Sequence, residues 1–462
     1  MCSPKPERRA LIIFLLLPLV SACGGGDGNV DAARDPTEDV DSGTTEVTGY
    51  EDGSVPEDGL ASDVDDAFDT IATLDGLTVI RLKGDAYTRG YMLGAAAGDK
   101  VVFVYEKLFL QSQLGYDPKY MELYREYHDK ACSLLDYTED ERQQFQGLID
   151  GMRDHWSLTA TLADGTTVEL GEGDLCIANA LSDVAQIACS SVAAWGGMTA
   201  DGETVVARNL DWDAGPDNVM GPMNAVVSET PEDESWTFVN VTVPGYFGCL
   251  SCMNGDGDAV FLHDTARWHD GLAFGFAPRG MTMRRALLAA TGADDDLGAF
   301  EGVVESAGVV TGTNMVFVRP ASQGESAAAC FEADDNETHP DGFVTVRTDL
   351  DHEVNDTELS DVLFVTNHHR KRYAPSGCGR YEGMRDKVEA MAAAGGPALT
   401  LADLRQMMKD VEFQGGLVET FHTILFKPSD WTLTVLRIGP DHRASDDPGV
   451  TVPPEVLFPW GR

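Results

Sequence analysis

The feature that most constrains the fold is a β-hairpin pattern near the middle of the chain. Two β-type runs, Ser190–Met198 and Thr204–Ala207, flank the short segment 199–203, which has Asp-Gly at its centre. An Asp-Gly pair between two such runs is a strong signal for a tight turn that joins antiparallel strands. The pattern therefore predicts antiparallel sheet from about residue 190 onward.

This hairpin is expected to bring a thiol and two charged groups together. The outer ends of a hairpin lie side by side, so Cys189, which precedes the first strand, is expected near Arg208 and Asp211 at the end of the second. A cation beside a thiol favours the thiolate, which is the nucleophilic form. The alternative interpretation is a buried cysteine beside an ordinary surface ion pair.

The remaining periodicity predicts an α+β fold with helices and strands in separate blocks. Segment 76–188 begins with a strand at Leu77–Leu82 and is otherwise mostly helical. Its predicted helices are Tyr87–Gly115, Lys119–Leu135 and Glu139–Trp156. Beyond the hairpin, strands are predicted at Thr237–Val243, Ala259–His263, Asn314–Val318, Ala327–Glu332, Val362–Thr366, His422–Phe426 and Thr432–Ile438, and helices at Met281–Ala290 and Leu401–Val411.

The first 22 residues have the pattern of an export signal. Basic residues within positions 5–9 precede an apolar run at 10–20, which is too short to span a membrane as a mature helix. Small residues then precede Cys23, as in the lipobox of bacterial lipoproteins that this segment resembles. The resemblance implies cleavage before Cys23 and acylation of that residue, so we expect an exported, membrane-anchored lipoprotein of the cell envelope. Gly24, in place of Asp, favours the outer membrane in a cell that has one.

Residues 23–75 are expected to form an acidic, disordered tether. Gly24 to Asp75 contains 16 acidic residues and one basic residue, Arg34, and this composition buries too little apolar surface to offset the entropy of ordering. The whole chain carries 33 Lys and Arg against 77 Asp and Glu, a formal net charge of −44. Such a charge disfavours nucleic acid as a partner, and it disfavours anionic lipid surfaces for the folded part.

Seven cysteines remain besides Cys2, in the signal, and Cys23. In an exported protein we expect disulfides, and the odd number leaves at least one free thiol. The Cys249–Cys252 spacing is compatible with a disulfide, with two buried thiols, with a redox pair or with half of a zinc site, although no second Cys or His pair at zinc-finger spacing accompanies it. The sequence leaves open how the six cysteines other than Cys189 pair: Cys132, Cys176, Cys249, Cys252, Cys330 and Cys378.

Histidines offer two alternative sites. His263, His368 and His369 lie near predicted strand ends and could serve a papain-like cysteine, but the local signature of a papain-type nucleophile is absent. His263 and His269 could bind a metal, but no carboxylate motif such as HExxH accompanies them. We therefore expect neither a metal nor a cofactor.

The segment from Cys189 to Trp212 resembles the opening hairpin of Cys-type N-terminal-nucleophile hydrolases. It is most similar to the branch with acyl-coenzyme A:isopenicillin N acyltransferase, peptidase family C45, whose relatives include choloylglycine hydrolases (bile-salt hydrolases and penicillin V acylases) and acid ceramidase. Further segments resemble family motifs in matching order over roughly residues 78–440: Gly84–Gly90, Met253–Gly257, Val365–His368, Ser376–Tyr381 and Thr423–Gly439. The sequence departs from the family at Ala188, where a glycine is frequent.

The resemblance implies an αββα sandwich, in which helices cover two packed antiparallel sheets. It also implies self-cleavage between Ala188 and Cys189 into an α-chain, with residues 76–188, and a β-chain, 189–462, which stay associated. The new α-amino group of Cys189 would have a pKa of about 7.7–8.0, so it could activate its own thiol.

The resemblance further implies roles for individual side chains. Asp211 would orient the new amine, and Arg208 would hold the thiolate or polar groups of the substrate. Asn254 and Asn367 would supply neutral donors to an oxyanion, and Arg380 matches a later arginine of the family.

We therefore expect hydrolysis of a linear amide, in a small-molecule N-acyl amine or N-acyl amino acid, through a thioester on Cys189. Acyl transfer and phospholipase B-like ester hydrolysis use the same machinery and stay open, as does a non-catalytic binding lipoprotein on this scaffold. An exported protein meets little acyl-coenzyme A, which favours hydrolysis over transfer from that donor. The sequence does not determine the acyl group, the leaving group or the oligomeric state.

Overall fold

In the computed structural model, the described residues are 70–460, except 117, 184–187, 216–217, 269–274, 310, 322–325, 337, 376, 397 and 415–417. The predicted signal, Cys23, the tether up to residue 69 and His269 lie outside the described residues. No described helix has the combination of length and apolar content that crossing a membrane requires.

The strands, in chain order, are β1 (Ile71–Leu74), β2 (Leu77–Lys83), β3 (Thr159–Thr161), β4 (Thr167–Glu169), β5 (Ala188–Ala194), β6 (Val205–Trp212), β7 (Ala225–Thr230), β8 (Phe238–Thr242), β9 (Ser251–Asn254), β10 (Ala259–Trp268), β11 (Thr311–Val318), β12 (Ala328–Ala333), β13 (Val344–Thr348), β14 (Val362–Val365), β15 (Glu419–Lys427), β16 (Thr432–Arg437) and β17 (Val450–Val452). The α-helices are α1 (Ala86–Val104), α2 (Pro118–Tyr127), α3 (Ala131–Leu134), α4 (Glu139–His155), α5 (Glu172–Asn179), α6 (Arg279–Ala290), α7 (Asp296–Ala307), α8 (His352–Asn355), α9 (Gly379–Ala393), α10 (Leu401–Asp410) and α11 (Pro454–Leu457).

Two large sheets organise the molecule. The six-stranded sheet has the order β14-β5-β6-β15-β16-β17, and all its neighbouring strands are antiparallel. The nine-stranded sheet has the order β1-β2-β7-β8-β9-β10-β11-β12-β13, and only the β2–β7 pair is parallel. A separate hairpin joins β3 and β4.

The sheets pack against each other, and helices cover both outer faces. The core between the sheets joins Val239 and Phe261 of the larger sheet to Val206 and Ile424 of the smaller one. Helices α1, α4, α6 and α7 share a second core with the larger sheet, and α9 and α10 share a third core with the smaller sheet. The prediction of an α+β class and an αββα sandwich is therefore confirmed.

The segment before Cys189 is built into the larger sheet. Strand β2 pairs in parallel with β7, which lies beyond the hairpin in sequence. Helices α1 and α4 of the same segment pack closely through glycines: a Cβ added to Gly90 would lie 2.0 Å from the Gln144 carbonyl oxygen. Residues on both sides of Cys189 thus share one sheet and one core.

A buried carboxylate also connects the two parts of the chain. Glu229 on β7 accepts hydrogen bonds from Arg89 on α1 and Gln144 on α4, and it pairs with Arg284 on α6. Burial alone would raise the pKa of Glu229, but Arg284 and Arg89 lower it to about 2. The ionised carboxylate therefore links the helices of the N-terminal segment to the rest of the sandwich.

The predicted elements differ from the structure mainly at short or glycine-rich segments. Strand β1, at Ile71–Leu74, lies within the stretch predicted as tether and pairs with β2, so the ordered part begins before Gly76. The predicted helix 119–135 is interrupted by a 3₁₀ turn at His128–Lys130. The sequence pattern missed the strands β3, β4, β7, β9, β13 and β17, and it also missed the helices α5, α7, α8, α9 and α11.

Candidate active site

Cys189 is the second residue of β5 and is completely buried between two neighbouring strands. Across β6 it pairs with Leu210, and Ser191 pairs with Arg208. Opposite residues of an antiparallel pair, and residues two apart on a strand, share one face. The side chains of Cys189 and Arg208 therefore point to the same side, as the hairpin predicts.

The thiol of Cys189 lies between a cation and a carbonyl oxygen. Arg208 Nη2 lies 3.2 Å from Sγ and donates to it, and the same nitrogen donates to the Leu262 carbonyl oxygen at 2.8 Å. Sγ itself lies 3.2 Å from that carbonyl oxygen. Burial raises the pKa of Cys189 to about 11, against the opposing charges of Arg208 and Arg380. Cys189 is therefore a protonated thiol directed into a polar cluster.

The backbone nitrogen of Cys189 is the start of a second set of contacts. It donates to Asn367 Oδ1 at 2.9 Å, and the same oxygen accepts from Arg380 Nη2 at 2.5 Å. Arg380 Nη1 pairs with Asp211 Oδ2 at 2.6 Å, and Asp211 Oδ1 accepts from Thr420 at 2.7 Å. Burial raises the pKa of Asp211 to about 6 despite Arg380. The scissile amide predicted at Ala188–Cys189 is thus connected to Asp211 through Asn367 and Arg380.

Asp211 and the thiol lie on opposite faces of the smaller sheet. Asp211 pairs with Ala188, so its side chain points away from the face that carries Cys189 and Arg208. Its partner Arg380 comes from α9, which covers that outer face. The hydrogen bonds of Asp211 therefore lead, through Arg380 and Asn367, to the backbone nitrogen of Cys189 and not to its sulfur.

Strand pairing and two buried polar side chains position Asn367. Val365 on β14 pairs with Ser191, which brings the residues beyond β14 alongside Cys189. Asn314 Nδ2 donates to the carbonyl oxygens on either side of Asn367, those of Thr366 at 2.9 Å and His368 at 3.0 Å. The buried carboxylate of Glu332 accepts the backbone N–H groups of residues 370–372. Asn367 Nδ2 donates to the Asp264 carbonyl oxygen at 2.7 Å.

The structure does not bring Asn254 to the nucleophile. Its Oδ1 accepts from the backbone of Asp256 and Asp258, and its Nδ2 donates to Asp258 and Thr291. These bonds use the amide to close the β9–β10 turn. The residue of β9 that reaches the cluster is Ser251, about 10 Å away along the strand. The hydrogen bonds of the Asn254 side chain therefore support this turn, and a role of Asn254 in an oxyanion hole stays a prediction.

Three residues of the cluster were not predicted. Ser251 and His422 both contact Arg208 Nη1, and the buried Ser191 hydroxyl lies 2.7 Å from His263 Nε2. Only Ser191 had a usable signal, because a residue two positions beyond Cys189 on a strand shares its face. His422 and Ser251 come from strands that the sequence does not place next to Cys189.

The residues of the alternative papain-like and zinc sites have other bonding partners in the structure. His263 bonds Ser191, and burial lowers the pKa of His263 well below its usual range, while the thiol bonds Arg208 and Leu262. Disulfides join Cys249 to Cys252 and Cys132 to Cys176, and these sulfurs are therefore not thiolates. Among the described cysteines, Cys189 and Cys330 are free thiols, and both are buried.

No family profile matches the chain, and no curated protein is similar to it. Solved structures similar to it include the N-acylethanolamine-hydrolyzing acid amidase ortholog of Caenorhabditis elegans, at 12% identity and a TM-score of 0.35 over 52% of this chain and 93% of that one. The C2A mutant of the conjugated bile acid hydrolase of Clostridium perfringens matches at 11% identity and a TM-score of 0.33, over 57% and 96%. Penicillin V acylase of Agrobacterium tumefaciens matches at 13% identity and a TM-score of 0.34, over 54% and 83%.

The fold assignment rests on the layers and strand order described above. Cys189, Arg208, Asp211, Asn367 and Arg380 form one connected cluster, and Asn254 lies outside it. The chain has the four-layer αββα sandwich that the resemblance of its sequence to the Cys-type N-terminal-nucleophile hydrolases implies.

Proposed function

We propose that this protein is a self-processing cysteine hydrolase that cleaves a linear amide in a small N-acyl compound. The observation that carries the proposal is that both the sulfur and the backbone nitrogen of Cys189 contact buried polar side chains. Its sulfur contacts the Arg208 guanidinium, and its backbone nitrogen contacts Asn367, which Arg380 joins to Asp211. A structural buried cysteine needs neither contact.

Self-cleavage uses atoms that the uncut chain already holds. Cys189 Sγ attacks the Ala188 carbonyl carbon, the C–N bond breaks, and the thiol proton ends on the released nitrogen. Water then hydrolyses the thioester, which gives a carboxylate at Ala188 and restores the Cys189 thiol. Arg208 stabilises the sulfur while it carries negative charge.

Turnover repeats this chemistry on an external amide. The neutral α-amine of Cys189 takes the thiol proton, the sulfur attacks the substrate carbonyl, and the leaving amine departs with a proton. Water hydrolyses the resulting thioester and releases the acid. In this scheme, Asn367 and Arg380 hold the nitrogen that acts as the base, and Asp211 balances the charge of Arg380.

The proposal includes export and lipidation. It is supported by the basic residues, the apolar run and the small residues before Cys23 in the sequence. The proposed location is the cell envelope, with the acidic segment between Cys23 and the sandwich acting as a spacer. The substrate class follows from the resemblance of the Cys189–Trp212 hairpin.

The test combines N-terminal sequencing with a substrate screen on the purified full chain. The screen contains N-acyl amino acids, β-lactams, acyl-homoserine lactones and lysophospholipids, with and without an added amine acceptor. Cys189→Ala removes the nucleophile, and Cys330→Ala is the matched control because Cys330 is the other buried free thiol among the cysteines that the structure describes.

We expect amide hydrolysis in the wild-type protein and in Cys330→Ala, and none in Cys189→Ala. Turnover of lysophospholipids alone would assign an ester hydrolase, and a product joined to the added amine would assign an acyltransferase. No turnover together with an inert Cys189 would support a binding protein and overturn the proposal.

A further inference from the structure

Arg208 is held on the side away from the nucleophile by two neutral side chains. Its Nη1 donates to Ser251 Oγ and lies 3.4 Å from His422 Nε2, while its Nη2 faces Cys189. Ser251 Oγ lies 3.2 Å from the same His422 nitrogen. Arg208, Ser251 and His422 are all completely buried, so bulk solvent does not reach these contacts.

The direction of each hydrogen bond follows from the guanidinium, which has donors only. Ser251 Oγ accepts from Arg208, so its own proton is free to go to His422 Nε2. His422 Nδ1 then donates to Asn224 Oδ1 at 2.8 Å, because the Asn224 amide nitrogen donates to Gly221. The chain therefore runs in one direction, and His422 is the neutral tautomer with its proton on Nδ1.

The electrostatics agree with a neutral His422. Burial and the charge of Arg208 lower the pKa of His422 well below its usual range. A protonated ring would place an N–H against the guanidinium, with like charges in a buried site.

Because Ser251 and His422 are neutral, they do not screen the charge of Arg208 from the Cys189 sulfur. Among the described residues, Arg208 forms no ion pair with a carboxylate, and its hydrogen bonds go to the thiol, the Leu262 carbonyl, Ser251 and His422. A carboxylate in the place of Ser251 would hold the guanidinium equally well but would cancel its field at the sulfur. Neutral acceptors orient the cation and leave its charge for Cys189.

We propose that Ser251 and His422 are positioning residues that hold Arg208 against Cys189 and so favour the thiolate. This inference rests on the proposed function, in which Cys189 is the nucleophile. The charged and titratable groups around Cys189 are Arg208 of β6 on its own face of the sheet, Asp211 of β6 and Arg380 of α9 on the opposite face, and His263 of β10. His422 and Ser251 act on the sulfur of Cys189 through Arg208.

The experiment measures the pKa of the Cys189 thiol directly, from the ultraviolet absorbance of the thiolate against pH, after subtraction of the Cys189→Ala spectrum. The absorbance needs no reagent to enter the buried site, no substrate and no self-cleavage. The variants are Ser251→Ala, His422→Leu and His422→Gln, whose amide oxygen can replace Nε2 as an acceptor. The matched control is Thr423→Val. Thr423 follows His422 on β15, and the substitution removes the buried hydrogen bond from its hydroxyl to Asn209 on β6.

We expect the thiol pKa to rise by about one unit in Ser251→Ala and His422→Leu, and to stay near the wild-type value in His422→Gln and Thr423→Val. Circular dichroism confirms that each variant is folded, and Ser251→Ala, which loses one oxygen atom, decides the outcome if His422→Leu does not fold. An unchanged pKa in Ser251→Ala, or an equal rise in Thr423→Val, would overturn the inference. Because the titration requires no turnover, a failure of the proposed activity would be visible separately, in the substrate screen.

Discussion

Arg208 Nη2 lies 3.2 Å from Cys189 Sγ because Arg208 pairs with Ser191, the next residue on the Cys189 face of β5. The contact joins residues 19 positions apart through strand register alone. It places the cation at the sulfur, whereas Asp211, three residues further along β6, points to the other face of the sheet. The sulfur and the backbone nitrogen of Cys189 therefore have different charged partners.

Arg208→Lys is expected to lower kcat/KM by about tenfold or more, because an ammonium group cannot bond the thiol, Leu262 and Ser251 in the fork geometry of a guanidinium. The measurement is steady-state kinetics on the best substrate of the screen. Arg153→Ala is the control, since Arg153 forms an exposed pair with Asp150 and such pairs contribute about 0–1 kcal/mol. Equal activity of Arg208→Lys and the wild-type protein would contradict the assigned role.

Asp211→Asn is expected to lower the activity and to change its pH dependence. With a pKa of about 6, Asp211 is ionised above that pH and loses its pairing with Arg380 when it is protonated below it. The α-amine of Cys189 must also be neutral to act as a base. Below about pH 6, both groups are protonated, so log kcat/KM of the wild-type protein should fall with a slope of two against pH. In Asp211→Asn, only the α-amine still titrates, so the slope of log kcat/KM against pH should be one. Identical slopes of log kcat/KM against pH in both proteins would refute this.

Self-cleavage is expected to give a C-terminal chain that begins Cys-Ser-Ser-Val-Ala-Ala. Cys189→Ala should remain one folded, inactive chain, since no atom is left to attack the Ala188 carbonyl, whereas Cys189→Ser should cut slowly. Reducing denaturing gels and mass spectrometry provide the measurement. The two wild-type chains should remain together in native buffer because β2 pairs with β7. A fully active single chain would argue against an α-amine base.

Glu229→Gln is expected to reduce the free energy of unfolding by about 3 kcal/mol at neutral pH. The pKa of Glu229 in the fold is about 2, below its ordinary 4.5, so its stabilisation is present above pH 4.5 and is lost as the pH falls toward 2. Urea unfolding of both proteins against pH measures this difference, which should shrink in acid. Glu234→Gln, at the exposed pair with Lys83, is the control and should show almost no effect. A difference that is constant with pH would contradict the ionised state of Glu229.

Asn254→Ala is expected to affect stability and not catalysis. The substitution leaves the Asp256 and Asp258 backbone N–H groups without their acceptor, which should cost about 1–3 kcal/mol. Below its unfolding temperature, the variant should keep kcat/KM close to the wild-type value, whereas Asn367→Ala should lose about tenfold or more. A large loss of kcat in a folded Asn254→Ala protein would restore the role that the sequence resemblance implied.

Local patterns were sufficient to predict the hairpin and the neighbours of Cys189. Side-chain alternation and the Asp-Gly turn are properties of short segments, and they determine which residues of two adjacent strands meet. Helix α9, which carries Arg380, was missed although its buried residues Tyr381, Met384 and Val388 have the i, i+3, i+7 spacing of a helix face. The five-residue motif around Asn254 does not by itself decide the role of this residue, because such a motif also forms a turn in which the Asn254 side chain bonds the local backbone.

The α+β class, the antiparallel hairpin and the proximity of Cys189 to Arg208 could be predicted from the amino-acid sequence, because each depends on periodicity within a few residues. The contacts of Ser251 and His422 with Arg208, and the link from Asp211 through Arg380 to Asn367, became visible only in the folded chain. These contacts join strands and helices that are far apart in the chain. Their distances depend on strand order and sheet packing, which periodicity does not encode.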